Sequence, residues 1–205
     1  MRVITLGLTI AALGLTLAPG LAGEPLKIGD PAPGFAAVDS NGQTIRLADF
    51  AGKEVVLEWT NDGCPYVGKW YRSGAMQTLQ REAAKLGAVW LTVASSAPGE
   101  QGYVNATQAN ADTKDRNADP AHVLLDPQGA IGRLYGAQTT PHIFVIGPSG
   151  ALAYMGGADS IASTRIEDLQ KAEPYAREAL EAVAAGKPVP HSVTRPYGCS
   201  VKYSS

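Results

Sequence analysis

The alternation of hydrophobic and polar positions divides the chain into short strands and amphipathic segments. FAAV and TIRL alternate as half-buried strands do, and the Asn41–Gly42 pair between them predicts a β-hairpin. Continuous apolar runs predict four buried strands, which are EVVLEW, AVWLTVA, HVLLD and PHIFVI. The tight turn GPSG then predicts that ALAYMG forms a hairpin with the last of these strands.

Between these strands, apolar residues recur at helical spacing. They return every three or four positions from Val67 to Leu86, which predicts one long helix. Shorter helices are predicted over residues 104–113 and in PQGAIGRLYGA, and a long last helix over residues 161–185 with a kink at Pro174. The order of elements predicts an α/β fold in which a central mixed sheet is flanked by helices and carries an added N-terminal β-hairpin.

Composition indicates a globular protein but points to no particular ligand or reaction. The chain has 205 residues, of which 45% are hydrophobic and 18% charged, and this balance predicts one globular domain. Its formal net charge of −2 gives no electrostatic reason to expect binding to nucleic acid. The three histidines are scattered and show no metal-ligand spacing, so no metal and no cofactor are predicted.

The N-terminus is predicted to be a cleavable signal peptide over residues 1–22. Arg2 precedes the apolar run VITLGLTIAALGLTLA, and Gly20 and Ala22 occupy the −3 and −1 places of a cleavage site. The alternative is a membrane anchor, but the run is short for a span and no positive residues follow it. We therefore expect a periplasmic or secreted protein without a membrane span after cleavage, with its domain over 23–186 and an irregular tail over 187–205.

The chemistry predicted from the residues centres on a cysteine between a strand and a helix. Cys64 follows the predicted strand EVVLEW, and Pro65 suits the first position of a helix, where its missing N–H is not needed. A helix N-terminus lowers the pKa of a thiol, so Cys64 is predicted to be a nucleophile, with a buried structural cysteine as the alternative. Val67 stands where a Cys-x-x-Cys site would carry its second thiol.

The other cysteine of the chain is Cys199, in the proline-rich tail GKPVPHSVTRPYGCSVKYSS. Three interpretations stay open. It resolves an intermediate formed at Cys64, it forms a permanent structural disulfide with Cys64, or it remains a free or intermolecular thiol. The expected flexibility of the tail, with Gly198 allowing the backbone to turn, favours the first.

Three segments resemble a known family. GDPAPGFAAVDSNGQTIRLADFAGKEVVLEWTNDGCP resembles the start of the redoxin group, which comprises the alkyl hydroperoxide reductase/thiol-specific antioxidant family and its exported thioredoxin-like relatives. TTPHIFVIGPSGALAY resembles the cis-proline segment of thioredoxin-like folds. The tail resembles that of a peroxiredoxin-like subgroup that pairs an Asn-x-x-Cys-Pro-Tyr site with a Gly-Cys-Ser near its end.

The resemblance implies a thioredoxin-like fold and roles for several residues. Pro141 would be cis and face Cys64, and the backbone of Thr140 would be presented to a substrate strand. Peroxiredoxins carry a threonine three residues before the cysteine, and Asn61 occupies that place here, with Thr60 one residue earlier. Asn61 is therefore expected to replace the hydroxyl as a hydrogen-bond donor.

Further candidates for the site are weaker. His142 follows Pro141, so it either approaches Cys64 and assists its ionisation or points outward by strand alternation. Lys69, Arg133 and Arg165 are candidates for a positive charge beside the substrate.

The leading hypothesis is an exported thiol-dependent oxidoreductase of the peroxiredoxin-like branch. Cys64 attacks a small hydroperoxide or a protein disulfide, Cys199 forms a disulfide with it, and a thioredoxin-like electron donor reduces the pair. The alternatives are disulfide exchange without peroxidase activity, and a non-enzymatic binding module in which Cys64–Cys199 is a fixed disulfide.

Overall fold

All of the predicted strands form, each within a residue or two of its predicted bounds. The computed structural model describes residues 25–204. The strands of this part are β1 (Ala36–Asp39), β2 (Thr44–Arg46), β3 (Val55–Trp59), β4 (Val89–Ala94), β5 (His122–Leu125), β6 (Thr139–Thr140), β7 (His142–Ile146), β8 (Leu152–Gly156) and β9 (Cys199–Ser200).

Seven of these strands form one mixed sheet in the order β2-β1-β5-β4-β3-β7-β8. The inner strands β3, β4 and β5 run parallel, and β1, β7 and β8 run antiparallel to their neighbours. The predicted N-terminal hairpin is β1–β2, and its turn contains Gly42 with a φ of +80°, a conformation that favours glycine. The hairpin extends the sheet by pairing β1 with β5.

Helices cover both faces of the sheet, as the order of elements predicted. They are α1 (Pro65–Arg72), α2 (Ala75–Lys85), α3 (Ala106–Asp115), α4 (Ala130–Tyr135) and α5 (Tyr175–Ala184), with 3-10 turns at Leu47–Phe50 and Ile166–Gln170. One apolar core lies between the sheet and α1, α2 and α5, and a second lies on the opposite face against α4. Parallel strands need such crossover helices, and each helix buries its apolar stripe against the sheet.

The predicted helix from Val67 to Leu86 is wrong as a single element. It is broken between Arg72 and Ala75, where Gly74 adopts a φ of +77° at the start of α2. A left-handed residue cannot lie inside an α-helix, so the apolar periodicity continues through two helices that meet at an angle.

The predicted long helix over residues 161–185 is also wrong in its first half. Pro174 is the residue that precedes α5, so it starts this helix and does not kink a longer one. A proline disfavours the helical conformation of the residue before it, and the chain from Ile161 to Glu173 forms turns and one 3-10 segment.

The predicted irregular tail contains a short strand that pairs outside the main sheet. β9 runs antiparallel to β6, with Cys199 opposite Thr140 and Ser200 opposite Thr139. A strand of two residues is too short to show an alternating pattern in the sequence, so β9 is recognised only by its pairing with β6.

The predicted signal peptide over residues 1–22 lies outside the described residues. Among residues 25–204, no helix combines the length and the apolar character needed to cross a lipid bilayer.

Candidate active site

Cys64 lies at the point where β3 ends and α1 begins. After Trp59 the chain makes a short loop in which the Cys64 N–H donates to the carbonyl of Asn61 at 3.1 Å. Cys64 caps α1, and Pro65 takes the first helical position, as predicted. The residue is fully buried, with an exposed fraction of 0%. The strand, the loop and the proline therefore place the sulfur at a helix N-terminus.

The residue pair Thr140–Pro141 faces this sulfur. The peptide bond between them is cis, as predicted, and Sγ of Cys64 lies 3.1 Å from the carbonyl oxygen of Thr140, to which the thiol donates. The two residues are 76 positions apart. They meet because β7 pairs with β3 in a register that sets His142 opposite Trp59, so the ends of both strands lie at one edge.

Cys199 lies on the other side of Thr140. The two residues are paired across β6 and β9, and the Thr140 hydroxyl donates to the Cys199 carbonyl at 3.4 Å. Both cysteines are free thiols, and their side chains lie close enough for each to shift the pKa of the other. The structure therefore brings together Cys64, Thr140, Pro141 and Cys199, the central residues of the predicted site.

The surroundings of Cys64 favour its thiolate. Burial by itself raises the pKa, but the Cys199 thiol, the Thr140 hydroxyl and the N–H groups of Val67 and Cys199 all stabilise the charged sulfur. The net result is a pKa of Cys64 below the ordinary value. The thiolate is the nucleophilic form, so the site contains one activated sulfur.

Cys199 is shifted in the opposite direction. Burial, the hydrogen bond to Cys64 and the negative charge of the Cys64 thiolate raise the pKa of Cys199 to about 11, and Lys202 opposes this only weakly. Cys199 thus remains a thiol near neutral pH and can donate a proton to the neighbouring sulfur. The two thiols therefore differ in the direction of their pKa shifts, and each shift depends on the other cysteine.

The pH dependence of alkylation should separate the two thiols. We expect the reaction of Cys64 with iodoacetamide to reach its plateau at a lower pH than that of Cys199, whose rate should still rise toward a pH of about 11. Peptide mapping by mass spectrometry measures both rates in one sample. Cys199→Ala should raise the midpoint of Cys64, because it removes a donor, and Cys64→Ala should lower the midpoint of Cys199. Coincident midpoints in the wild-type protein would contradict the assignment.

Asn61 and Thr60 shape the loop before Cys64. The Asn61 side chain is buried, and its Nδ2 donates to the carbonyl of Gln101 at 3.4 Å. Gly102 packs so closely that a Cβ there would lie 2.5 Å from the Asn61 side chain. The side-chain donor expected to replace the peroxiredoxin threonine is therefore bonded to the neighbouring loop. The Thr60 backbone N–H donates to the carbonyl of Val93, and the Thr60 hydroxyl oxygen accepts a hydrogen bond from an arginine.

His142 lies on the opposite face of the sheet from Cys64. Its ring packs on Phe144 at a centroid distance of 4.5 Å, and its Nδ1 accepts from the N–H of Gln138. Phe144 belongs to the core on the α4 side, whereas Cys64 belongs to the other core. Burial lowers the pKa of His142 to about 4, so it is neutral near pH 7. Strand alternation therefore directs His142 away from Cys64, but into the packed α4 side of the sheet and not out to solvent, since the residue is only 4% exposed.

The three basic residues considered for a charge beside the substrate all have other partners. Lys69 is buried with Asp159, Arg133 stacks on Tyr203, and Arg165 pairs with acidic residues at the surface. Sequence reasoning missed Arg116, which donates to Thr60 and Asp62 of the Cys64 loop and stacks on Tyr71. No pattern marked Arg116, because it lies after α3 and reaches the loop only in the tertiary structure.

A buried carboxyl group, that of Glu58, lies in β3, the strand that leads to Cys64. Glu58 in β3 is fully buried and accepts hydrogen bonds from four side chains, those of Tyr71, Gln80, Trp90 and Thr92. Burial raises the pKa of Glu58, although these donors oppose the shift. The signal for such a residue was visible, because a glutamate inside the apolar run EVVLEW needs buried partners.

Comparison with known proteins agrees with this geometry. The chain is similar to the thiol-disulfide oxidoreductase ResA of Geobacillus thermodenitrificans (strain NG80-2), with 26% identity over 159 residues that cover 73% of this chain and 82% of that protein. A hypothetical protein from Sinorhizobium meliloti 1021 matches in structure with a TM-score of 0.74 at 22% identity, over 89% of this chain and 97% of that chain. Peroxidoxin BcpB from Mycobacterium tuberculosis matches with a TM-score of 0.56 at 21% identity, over 77% of this chain and 98% of that chain.

The structural matches and the family match differ in how much of the chain they cover. The two solved structures share the thioredoxin-like fold, in agreement with the fold predicted from the sequence. The family match ends at residue 155, so it includes Cys64 and Pro141 but not Cys199. Because the AhpC/TSA family model matches residues 28–155, more than half of the chain, the protein belongs to the AhpC/TSA family.

Proposed function

We propose that the protein is an exported thiol oxidoreductase that reduces a hydroperoxide by cycling between two free thiols and a Cys64–Cys199 disulfide. The observation that carries the proposal is the pairing of Cys199 with Thr140 across β9 and β6, because the Thr140 carbonyl also accepts a hydrogen bond from the Cys64 thiol at the N-terminus of α1. The lowered pKa of Cys64 supports its role as the nucleophile, and the raised pKa of Cys199 supports its role as the resolving thiol.

The first step is an attack of the Cys64 thiolate on the terminal oxygen of the hydroperoxide. The O–O bond breaks, the sulfur becomes a sulfenic acid, and the alkoxide takes a proton and leaves as an alcohol. The helix N-terminus and the Thr140 hydroxyl stabilise the thiolate before the reaction. The family assignment supports this chemistry, and the low pKa of Cys64 supports its role as the nucleophile.

The second step is an attack of Cys199 on the sulfenic sulfur. A disulfide forms and one water leaves, so the protein loses two electrons to the peroxide over both steps. Because Cys64 and Cys199 both lie against Thr140, we expect this bond to need little movement of the backbone. A dithiol donor, for which we propose a thioredoxin-like protein of the same compartment, then returns two electrons by thiol–disulfide exchange.

A small oxidant is favoured over an extended one by the position of β9. The strand covers Cys64 and occupies the edge of β6, which is where an extended peptide would pair. A hydroperoxide with few heavy atoms requires only a small displacement of the Cys199 side chain, whereas a peptide requires β9 to leave.

A second candidate function is disulfide exchange without peroxidase activity. The observation that favours it is the antiparallel pairing of β6 with β9, because the backbone of Thr140 is arranged to pair with a strand. The similar ResA is named a thiol-disulfide oxidoreductase. In this case the Cys64 thiolate attacks a substrate disulfide, a mixed disulfide forms, and Cys199 attacks the Cys64 sulfur and releases the substrate as a thiol.

A permanent structural disulfide between the same residues makes a different prediction for the reduction potential. A structural bond has a potential below about −300 mV, and a catalytic pair has a higher one. The lowered pKa of Cys64 stabilises the reduced form and so raises the potential. This argument supports a catalytic pair.

Export is supported by the sequence of residues 1–22 alone. Arg2, the apolar run and the small residues Gly20 and Ala22 have the order of a cleavable leader. The intact mass of the protein recovered from a periplasmic extract tests this, since cleavage after Ala22 leaves Gly23 as the first residue. A protein found only uncleaved in the cytoplasm contradicts export.

The proposed function is tested by oxidising the reduced protein in parallel with hydrogen peroxide and with a peptide disulfide. We expect one equivalent of peroxide to produce the Cys64–Cys199 disulfide, mapped by mass spectrometry, with a rate constant well above that of a free thiol. A rate for peroxide no better than that of free cysteine, together with rapid exchange with the peptide, selects the second candidate. Absence of both the disulfide and a Cys64 sulfenic acid contradicts both.

A further inference from the structure

The chain around Cys199 is held on both sides. Before it, the Tyr197 hydroxyl lies 2.9 Å from Nζ of Lys69, and its ring meets that of Tyr66 at a centroid distance of 5.8 Å. After it, the contacts are from Val201 N–H to the Gln138 carbonyl at 2.9 Å, from Ala97 N–H to the Lys202 carbonyl at 2.8 Å, and from the Tyr203 hydroxyl to the Ala137 carbonyl at 2.7 Å. We call residues 197–203 the covering segment. The flexibility expected of this tail is not what the contacts indicate.

The contact of Tyr197 with Lys69 is buried and charged. Lys69 lies in α1, one turn beyond Cys64, and its Nζ also donates to Oδ2 of Asp159 at 2.9 Å and to the carbonyl of Ile161 at 3.3 Å. The side chains of Lys69 and Asp159 are 0% and 2% exposed. A hydrogen bond to a buried ammonium group is stronger than one between neutral groups, so Tyr197 ties the covering segment to the helix of the active site.

Gly198 allows the covering segment to approach Thr140 closely. Its φ is +142°, and a Cβ at this position would lie 2.0 Å from the Thr140 carbonyl oxygen and 2.7 Å from the carbonyl carbon. These are backbone atoms, which cannot move away by rotation of a side chain. Any side chain at position 198 therefore prevents β9 from docking as it does in this structure.

We propose that the covering segment is an internal substitute for a substrate strand, that Tyr197 and Gly198 hold it in place, and that its release opens the β6 edge to an extended peptide carrying a disulfide. The antiparallel pair between Thr140 and Cys199 is the arrangement that a bound strand would adopt, with its sulfur where Sγ of Cys199 now lies. The partner class is thus a polypeptide with a cysteine in an extended segment.

The covering segment and a substrate peptide compete for the same edge of β6. A peptide binds only the fraction of molecules in which the covering segment has left, so its apparent affinity falls by that fraction. Small oxidants do not need the edge and are less affected. The proposal deepens the proposed function, since it rests on Cys64 as the nucleophile and names a second class of partner together with the element that excludes it.

Two variants release the segment by different means. Gly198→Ala introduces the steric conflict with Thr140, and Tyr197→Phe removes the hydroxyl while keeping the ring on Tyr66. The matched controls are Gly42→Ala, which lies in open space at a positive φ of +80°, and Tyr103→Phe, an exposed tyrosine outside the covering segment. Circular dichroism verifies that the variants keep their fold.

The first readouts do not depend on the catalytic cycle. Hydrogen exchange of peptides spanning 197–203 reports release of the segment, and the alkylation rate of Cys64 by a polymer-linked maleimide reports access. Loss of a hydrogen bond to a charged group predicts an increase of about 10- to 100-fold in both for Tyr197→Phe, and at least as much for Gly198→Ala. Unchanged exchange in Gly198→Ala, or release without faster alkylation of Cys64, overturns the proposal.

The second readout uses a synthetic peptide with a mixed disulfide to a chromogenic thiol. We expect exchange of the peptide with Cys64 to become about tenfold faster or more in Gly198→Ala. The first reaction with hydrogen peroxide should not become faster, because release of the segment also removes the Cys199 donors that lower the pKa of Cys64. An equal change for both oxidants overturns the claim that the edge is a peptide site. If the wild-type protein forms no disulfide with any oxidant, the proposed function fails, and the alkylation and exchange rates still decide whether the segment covers Cys64.

Discussion

Replacing Cys64 by serine is expected to lower the turnover of either oxidant by about 10⁴-fold or more. A serine hydroxyl does not ionise near neutral pH, so the stabilisation that Thr140 and the N-terminus of α1 offer to a thiolate has no charge to act on. The hydroxyl is smaller than the thiol, so serine fits the buried position without a steric conflict. The rate is measured as consumption of peroxide or of peptide disulfide in the presence of a thiol reductant.

The matched variant Cys199→Ser should behave differently. The first attack remains, since Cys64 keeps its helix N-terminus, but no second sulfur is present to resolve the product. We expect the sulfenic acid at Cys64 to accumulate, to be trapped by dimedone, and to be oxidised further to the sulfinic acid under excess peroxide. Turnover of Cys199→Ser at the wild-type rate would show that Cys199 is not the resolving cysteine, and retained activity in Cys64→Ser would remove the proposed nucleophile.

Replacing Asp159 by alanine is expected to lower the free energy of unfolding by about 3–5 kcal/mol. Lys69 is fully buried, and this change leaves its ammonium group with only the neutral Tyr197 hydroxyl and the Ile161 carbonyl as partners. For a domain of this size the loss corresponds to a decrease of roughly 6–20 °C in Tm. Urea denaturation and calorimetry of the reduced protein measure both quantities.

Two further variants show whether burial causes this effect. Glu167→Ala removes an exposed carboxylate that lies 3.9 Å from Arg165, and it should change the stability by less than about 0.5 kcal/mol. The double replacement Lys69→Met with Asp159→Leu should be more stable than Asp159→Ala, because no unpaired charge stays buried. A double variant less stable than Asp159→Ala would contradict this explanation.

The strands were predictable because their signals are local. EVVLEW and PHIFVI are predominantly apolar runs, and both become buried inner strands. The Asn41–Gly42 pair is a strong local signal for a hairpin, and it lies in the β1–β2 turn, where Gly42 has a φ of +80°. Helix ends were less predictable, since the apolar spacing continues across Gly74 and only the tertiary packing decides that this glycine is left-handed.

The sequence predicted individual residues of the site but not the contacts between them. Cys64, Pro65 and Pro141 were identified from the junctions in which they occur. Their contact depends on the register of β7 with β3, which no local pattern contains. The orientation of His142 was open for the same reason, because a single step along a strand moves a side chain to the other face.

The tail shows the same limit most clearly. Its prolines and glycines predicted an irregular, mobile segment, and Tyr197 had no apparent role. In the fold, Tyr197 meets a lysine 128 positions earlier, and Gly198 fits against Thr140 because it lacks a side chain. Contacts between residues so far apart in the chain are determined by packing and not by composition.

By itself, the sequence determined the α/β order of the elements, a thiol at a helix N-terminus and a second thiol in the tail. These properties follow from local periodicity, from the conformational limits of proline and glycine, and from residue type. Only the tertiary structure decided that Cys199 lies in contact with Cys64, that Thr140 lies between them in the paired strands, and that a buried Lys69–Asp159 pair holds the tail. Those features depend on which distant segments share one edge of the sheet, and that is set by the packing of the whole chain.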